Sequence, residues 1–235
     1  MTAYLRAFAF TLALGASAAG QAQAQTDPSG HWEGSITAPF GELSITLDVA
    51  RRDGMLVATF SRQDGSVSGF PLSDVELSGN ELKMTLKANG GGVMRASIAG
   101  TQMTGSFAAF AGTAPFTVTR LGDARFAAPL VNKPISKSLE GTWTTRFALG
   151  ADATTFRMTL ANHVDGTATG TIADDNSVDV PVKITQDGAR VTIEIPAAHS
   201  TFTGTLNADV TAIEGNYVEG ALNAVVIFTK TNERR

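Results

Sequence analysis

The 235-residue chain contains no cysteine. That rules out a disulfide framework, a thiol nucleophile, thiolate metal sites and a lipid-modified N-terminal cysteine, so the fold rests on its own core. Cationic excess is also missing: 18 Lys and Arg stand against 22 Asp and Glu, a net charge of −4. Only Arg51-Arg52 and Arg234-Arg235 are adjacent basic pairs. A nucleic-acid surface requires a basic stripe interleaved with aromatics, and none is present. Aromatic residues make up only 7% of the chain. That scarcity, a proline-bearing middle, short strands and a charged C-terminus argue against an outer-membrane barrel of about sixteen strands. No segment beyond the N-terminus is apolar for long enough to span a bilayer as a helix.

The one apolar run, Ala7 to Ala19, follows Arg6 and precedes Ala22-Gln23-Ala24. A positive residue, a short hydrophobic stretch and an A-x-A site form an export signal with cleavage before Gln25. The expected location is periplasmic or secreted, and the remaining chain of about 211 residues suffices for two small domains.

Apolar and polar residues alternate at period two almost throughout. Leu43, Ile45, Leu47 and Val49 share one face, and so do Leu82, Met84 and Leu86. Later series are Phe156-Met158-Leu160, Val191-Ile193-Ile195 and Phe202-Gly204-Leu206. This is the pattern of antiparallel strands with one face buried, and no window repeats at helical spacing. Turn pairs such as Asp53-Gly54, Gly79-Asn80, Asp165-Gly166 and Asp187-Gly188 separate the runs. About eight short strands per half are expected to close into up-and-down barrels, since closure removes exposed edges.

The halves repeat one another. Gly30-His31-Trp32 is matched by Gly141-Thr142-Trp143, Pro71-Leu72 by Pro181-Val182, Gly105 to Phe107 by Gly215 to Tyr217, and Arg120 by Lys230. Offsets between partners stay within roughly 109 to 112 residues, the mark of one module present twice. The organisation read from this is a signal peptide at 1–24, a first barrel at 25–121, a linker at 122–138 carrying Pro129 and Pro134, a second barrel at 139–231 and a tail at 232–235.

The repeated residues predict barrel-closing contacts. Trp32 points inward in phase with Ile36, and Arg120 at the end of the last strand reaches its indole face; Trp143 and Lys230 repeat the pair. Lysine has no planar group to stack, so the second closure is expected to be looser. An initial Gly-x-Trp answered by a terminal basic residue resembles the lipocalin and calycin barrels. The first copy's pattern of Gly-His-Trp-Glu-Gly at 30–34, Gly69 to Leu72, Gly100 to Phe107 and Pro115 to Arg120 is similar to a small β-module found ahead of the catalytic domain in bacterial exported α/β-hydrolases. No hydrolase domain follows within these residues. The resemblance implies a barrel with ligand or partner binding and supplies no catalytic residue.

Sites of chemistry are not evident. His31 lies out of phase with Trp32 and is expected to face solvent, while His163 and His199 sit at turns without ligand partners. Asp174-Asp175-Asn176 with Asp179 lacks the spacing of a calcium loop and reads as a self-capping hairpin. Ser66 and Ser68 do not form a nucleophile elbow, and Asn89 to Gly92 precedes a strand. The expectation is a non-enzyme without catalytic residue, cofactor or metal. The barrel interior remains, with Leu47, Met84, Met94, Phe107, Met158, Ile193 and Tyr217 as candidate cavity lining. Its inward series are interrupted by Gly34, Ala38, Ala96, Gly105, Gly204 and Gly215, which either leave room for a ligand or let a short barrel coil tightly. Two readings stay open: a binding protein for a small apolar or amphiphilic molecule, or a packed accessory module for a protein or envelope partner. N-terminal sequencing of the protein from the periplasm of its own host is expected to begin at Gln25; an unprocessed Met1 would contradict export.

Overall fold

The computed structural model describes residues 26–39, 41–88, 91–109, 112–149, 152–175 and 178–231. The expected signal segment 1–24, the expected tail 232–235 and Asn89, Gly90 and Asn176, expected in turns, lie outside them. The protein is all-β and consists of two tandem barrels. In the first, β1 (Gly30–Ala38), β2 (Gly41–Arg52), β3 (Met55–Arg62), β4 (Phe70–Ser78), β5 (Glu81–Leu86), β6 (Gly92–Ala99), β7 (Gln102–Ala109) and β8 (Gly112–Gly122) pair in sequence order and close. The second comprises β9 (Gly141–Leu149), β10 (Asp152–Asn162), β11 (Ala168–Asp174), β12 (Val180–Pro181), β13 (Lys183–Asp187), β14 (Arg190–Ile195), β15 (Ser200–Leu206), β16 (Ala212–Glu219) and β17 (Leu222–Lys230). Its sheet runs β12-β11-β10-β9-β17-β16-β15-β14-β13.

Period-two alternation positions the core as the sequence implies. Leu82, Met84 and Leu86 are buried on β5, and Val191, Ile193 and Ile195 on β14. The inward glycines serve coiling: a Cβ at Gly34 would lie 2.0 Å from the Thr117 carbonyl oxygen, and one at Gly215 would lie 2.1 Å from that of Thr203. They mark places where neighbouring strands cross too closely for any side chain.

Each barrel turns a corner at its Pro-aliphatic step. In the first copy Phe70, Pro71 and Leu72 pair with β3, a bulge with Asp74 at φ 48° follows, and Glu76 to Ser78 pair with β5. In the second, Val180 and Pro181 pair with β11, while Lys183 onward pairs with β14. Proline has no N–H to give a ladder, so the strand divides there into β12 and β13.

The division opens a gap, and the linker fills it. Asn132 exchanges backbone hydrogen bonds with Ala168 at the start of β11. Its side-chain nitrogen donates to the Val182 carbonyl at 3.1 Å, and its side-chain oxygen accepts from the Ile184 N–H at 2.8 Å. A buried carboxamide thus occupies the place of a peptide group in the wall. Beyond it Asn162 brackets Ile135 by accepting from its N–H and donating to its carbonyl, and Leu139 is fully buried under the second barrel. The proline-bearing segment is therefore docked over much of its length.

Closure is the same device twice. Trp32 Nε1 donates to the Pro28 carbonyl at 3.0 Å and Trp143 Nε1 to that of Leu139 at 2.9 Å. The Arg120 guanidinium lies 4.5 Å from the Trp32 ring centre and donates to the Asp27 carbonyl. Lys230 Nζ lies 5.1 Å from the Trp143 ring centre and donates to the Ser138 carbonyl at 2.8 Å. The seams differ: β1 and β8 pair from His31 to Ile36, whereas β9 and β17 pair only at Trp143 and Thr144.

Replacing Asn132 with alanine strands two buried backbone groups. Denaturant unfolding is expected to show a loss of about 2–4 kcal/mol, and a change below about 0.5 kcal/mol would mean the wall does not depend on that amide.

Candidate functional site: the second barrel and its roof

The second barrel is floored by Trp143 and Leu139, both without exposed surface. Above them it widens into a cavity of about 630 Å³. The alternation of β9, β10, β15, β16 and β17 turns Phe147, Phe156, Met158, Phe202, Tyr217, Val226 and Phe228 into it, with Ile193 and Ile195 from β14. Phe202 and Phe228 meet edge to face, their ring centres 5.1 Å apart, and Phe147 and Tyr217 do so at 6.2 Å nearer the mouth. The volume falls within the range of ordinary small-molecule pockets, and the lining is mostly apolar and aromatic.

The roof comes from the other barrel. Ser66 and Val67 in the β3–β4 loop, with Phe70, Leu86, Lys87 and Ala88, complete the cavity wall. The Ser68 N–H donates to the Ala197 carbonyl at 3.0 Å, joining this rim to the 3-10 turn Pro196–Ala198 at the second barrel's mouth. The site therefore lies between two copies of one module, with one supplying the chamber and the other its cover.

Among the sequence-derived candidates, Met158, Ile193 and Tyr217 line this cavity. Leu47, Met84 and Met94 sit inside the first barrel with no exposed surface, and Phe107 packs half-buried against the same core. Ile45, Val49, Met103 and Val118 are likewise sealed there, so the first interior is a packed core. The sequence reading placed Phe156 and Phe202 on buried faces but named none of Phe147, Phe156, Phe202 and Phe228 as cavity lining, nor the rim of the first barrel. Phe156 and Phe202 had a signal, because each alternates in phase with residues expected on the buried face, Met158 and Gly204. The roof had none, since nothing in a linear pattern specifies how two barrels face each other.

The polar group at the mouth is Tyr217. Its hydroxyl donates to Glu219 Oε2 at 2.6 Å. Burial first, then that hydrogen bond to a carboxylate, push the phenol's pKa well above the ordinary tyrosine value, while a hydrogen bond from the Ser200 hydroxyl pulls the other way. Ser200 is 3% exposed and pairs with Glu219 across β15 and β16, which puts its side chain on the inner face beside Tyr217. Along one side the wall itself is thin. β9 and β17 pair only near the floor, so Thr145 and Phe147 face Val226 and Phe228 across a stretch without cross-strand hydrogen bonds.

The histidines lie elsewhere. His31 is not on a solvent-facing surface: it is 6% exposed, with Nδ1 2.8 Å from Asp48 and Nε2 2.8 Å from Glu33. The reason is the linker, which runs over this outer face and donates the Arg125 N–H to Asp48, while Arg52 lies over the Phe126 ring. His163 bonds Thr169 at an exposed turn, and His199, at φ 48°, ends the 3-10 turn at the mouth. Among the described residues no group of three or more His, Cys, Asp or Glu side chains is placed to hold a metal ion, and no helix is long and apolar enough to cross a membrane.

No family model matches the chain, and no curated protein matches it. Among solved structures it is similar to a protein of unknown function from the DUF3598 family of Nostoc punctiforme PCC 73102, at 11% identity over 87% of this chain and 96% of that one, with a TM-score of 0.25. That protein's function is itself unknown, so no activity is carried over from it.

Tyr217 is one of two tyrosines, and Tyr4 precedes the expected cleavage site. Phenolate absorbance of the processed chain therefore reports Tyr217 alone. Its midpoint is expected above that of free tyrosine, and Glu219→Gln should lower it. Because the fold favours the neutral phenol, this contribution to stability is full below about pH 10 and is lost as the pH rises further. A midpoint at the ordinary value would contradict the buried, carboxylate-bonded geometry.

Proposed function

We propose that this protein is an exported, non-enzymatic binding protein that holds a small apolar or amphiphilic molecule in its second barrel. The carrying observation is the aromatic-lined cavity of about 630 Å³, floored by Trp143 and roofed by the first barrel. A chamber with one polar mouth and apolar walls offers area for burial and few groups for bond-making chemistry. The likeness of the Gly-x-Trp and terminal cation to lipocalin-type barrels, and the A-x-A signal, add to the reading. The first barrel favours the other role considered for this module. With its interior filled, it acts as an accessory whose nearest partner is the second barrel itself.

The test is binding of an apolar fluorescent dye, N-phenyl-1-naphthylamine, alongside native mass spectrometry of protein purified from its host. Ile193→Trp combined with Val226→Trp places two large side chains in the chamber and should weaken dye binding by about tenfold or more, since it removes the space the ligand needs. Met84→Leu in the packed first core should leave binding unchanged. Dye binding that is absent from the native protein, or that survives the double substitution intact, would sink the assignment of this cavity.

A further inference from the structure

The two strands that meet at the second barrel's seam are each paired in full along one side only. β9 bonds β10 from Gly141 to Leu149, and β17 bonds β16 from Leu222 to Thr229. Toward each other they pair only at Trp143 and Thr144 with Lys230 and Thr229. The Thr231 N–H donates to the Thr142 carbonyl across this seam, whereas the Lys230 N–H donates to that of Thr211 on the β16 side. Main-chain groups of successive residues point to opposite sides of a strand. The same parity turns the N–H and C=O of Ile227 and Val225 into the seam, level by register with Arg146 and Ala148 on β9. Among the described residues this stretch has no cross-strand hydrogen bonds. Open edges are ordinarily guarded by charge, proline or a bulge. The β17 edge, Leu-Asn-Ala-Val-Val-Ile-Phe at 222–228, has no charge and no proline, and it pairs with β16 without a bulge. Val225 and Ile227 are 68% and 48% exposed on its outer face, and Val226 and Phe228 line the chamber on its inner face. Such an edge is a template for a further extended chain.

We propose that the open seam between β9 and β17 receives an extended segment of a partner protein, which enters as an added strand. This goes beyond the small-molecule role of the chamber and rests on the seam alone. Two facing rows of unpaired N–H and C=O groups are matched by one chemistry, another peptide backbone. An aliphatic chain in the same place would cover those groups without satisfying them. Because the rows face each other, the folded edge of a second copy meets one strand before it reaches the other, while a single extended chain fits between. β9 and β17 run antiparallel, so the added strand is antiparallel to one and parallel to the other, and both arrangements are regular ladders. Its inward side chains enter the chamber beside Phe147, Val226 and Phe228, and its outward ones cover Val225 and Ile227. The segment is therefore rich in β-branched and other apolar residues. An outward carboxylate in it meets Arg146, the one charged residue along 145–149 and 222–228.

The probe is a fluorescein-labelled heptapeptide of alternating Thr and Val with one Glu in place of an internal Thr, titrated with the full chain and read by anisotropy. Two further versions are N-methylated, one at every Val and the other at every Thr and Glu. Alternate N–H groups of a strand face opposite neighbours, so each version loses its donors to one edge of the seam. The parent peptide is expected to bind, and both methylated versions should bind about tenfold more weakly or worse. Val225→Pro removes a seam-side N–H and leaves the β16 ladder whole, so it should weaken the parent peptide by about tenfold. Circular dichroism shows whether that variant folds, and where it does not the methylated peptides decide on the native protein. No binding of the parent, equal binding of all three versions, or indifference to Val225→Pro in a folded variant overturns the proposal. Survival of one methylated version also does so, since it means addition to a single edge. A dimer of the chain alone that Val225→Pro dissociates gives the seam to a second copy and overturns it as well. Absence of dye binding sinks the small-molecule role without touching this one, and absence of peptide binding does the reverse.

Discussion

A barrel wall has no free edge only if every backbone N–H and C=O along it finds a partner, and the structure is organised around meeting that demand twice with different success. The first barrel closes around its whole circumference: eight strands pair in sequence order, with a bulged corner at Asp74 and a seam from His31 to Ile36 against β8. The second meets it by improvisation. Its corner strand divides after Pro181, and the wall there depends on the carboxamide of Asn132 standing in for a peptide group. Its other seam stays joined only near the floor. Space inside the second barrel and gaps in its ladder go together, because a wall that is less completely stitched need not coil down onto its own core.

The cation over the tryptophan is the hinge of that difference. Arg120 and Lys230 occupy matching places, and each also ties down a carbonyl five residues before its tryptophan. The guanidinium stacks as a plane and the ammonium sits as a point, which is a weaker constraint on how the last strand meets the first. Above Lys230 the strands part, and the side chains flanking that parting, Thr145, Phe147, Val226 and Phe228, are among those that line the cavity.

Much of this was legible beforehand because it follows from local rules. Alternation placed the strands and their inward faces, Asp-Gly pairs placed the hairpins, and the repeated tryptophan and terminal cation pointed to where each barrel would close. The inward glycines were ambiguous in sequence, where a missing side chain reads equally as space or as contact. Gly34 and Gly215 prove to be contacts, which only the neighbouring backbone could reveal. The burial of His31 was hidden for a similar reason: its strand phase does put it on the outer face, but that face is covered by residues almost a hundred positions later. The cavity's roof depended on the placement of one barrel against the other, about which periodicity is silent.

The docked linker also separates two things that a repeat invites one to equate. Sequence similarity between the copies begins at Gly30 and Gly141, yet the second barrel's wall is completed at Asn132 and its floor at Leu139, both before the second copy starts. The first barrel draws likewise on Asp27 and Pro28. Each barrel draws on a lead-in peptide just ahead of its Gly-x-Trp, Asp27 and Pro28 for the first and Ser138 and Leu139 for the second, at the same spacing. The peptide between the repeats, through Asn132 in the wall and Leu139 in the floor, is thus a structural member of the barrel that follows it.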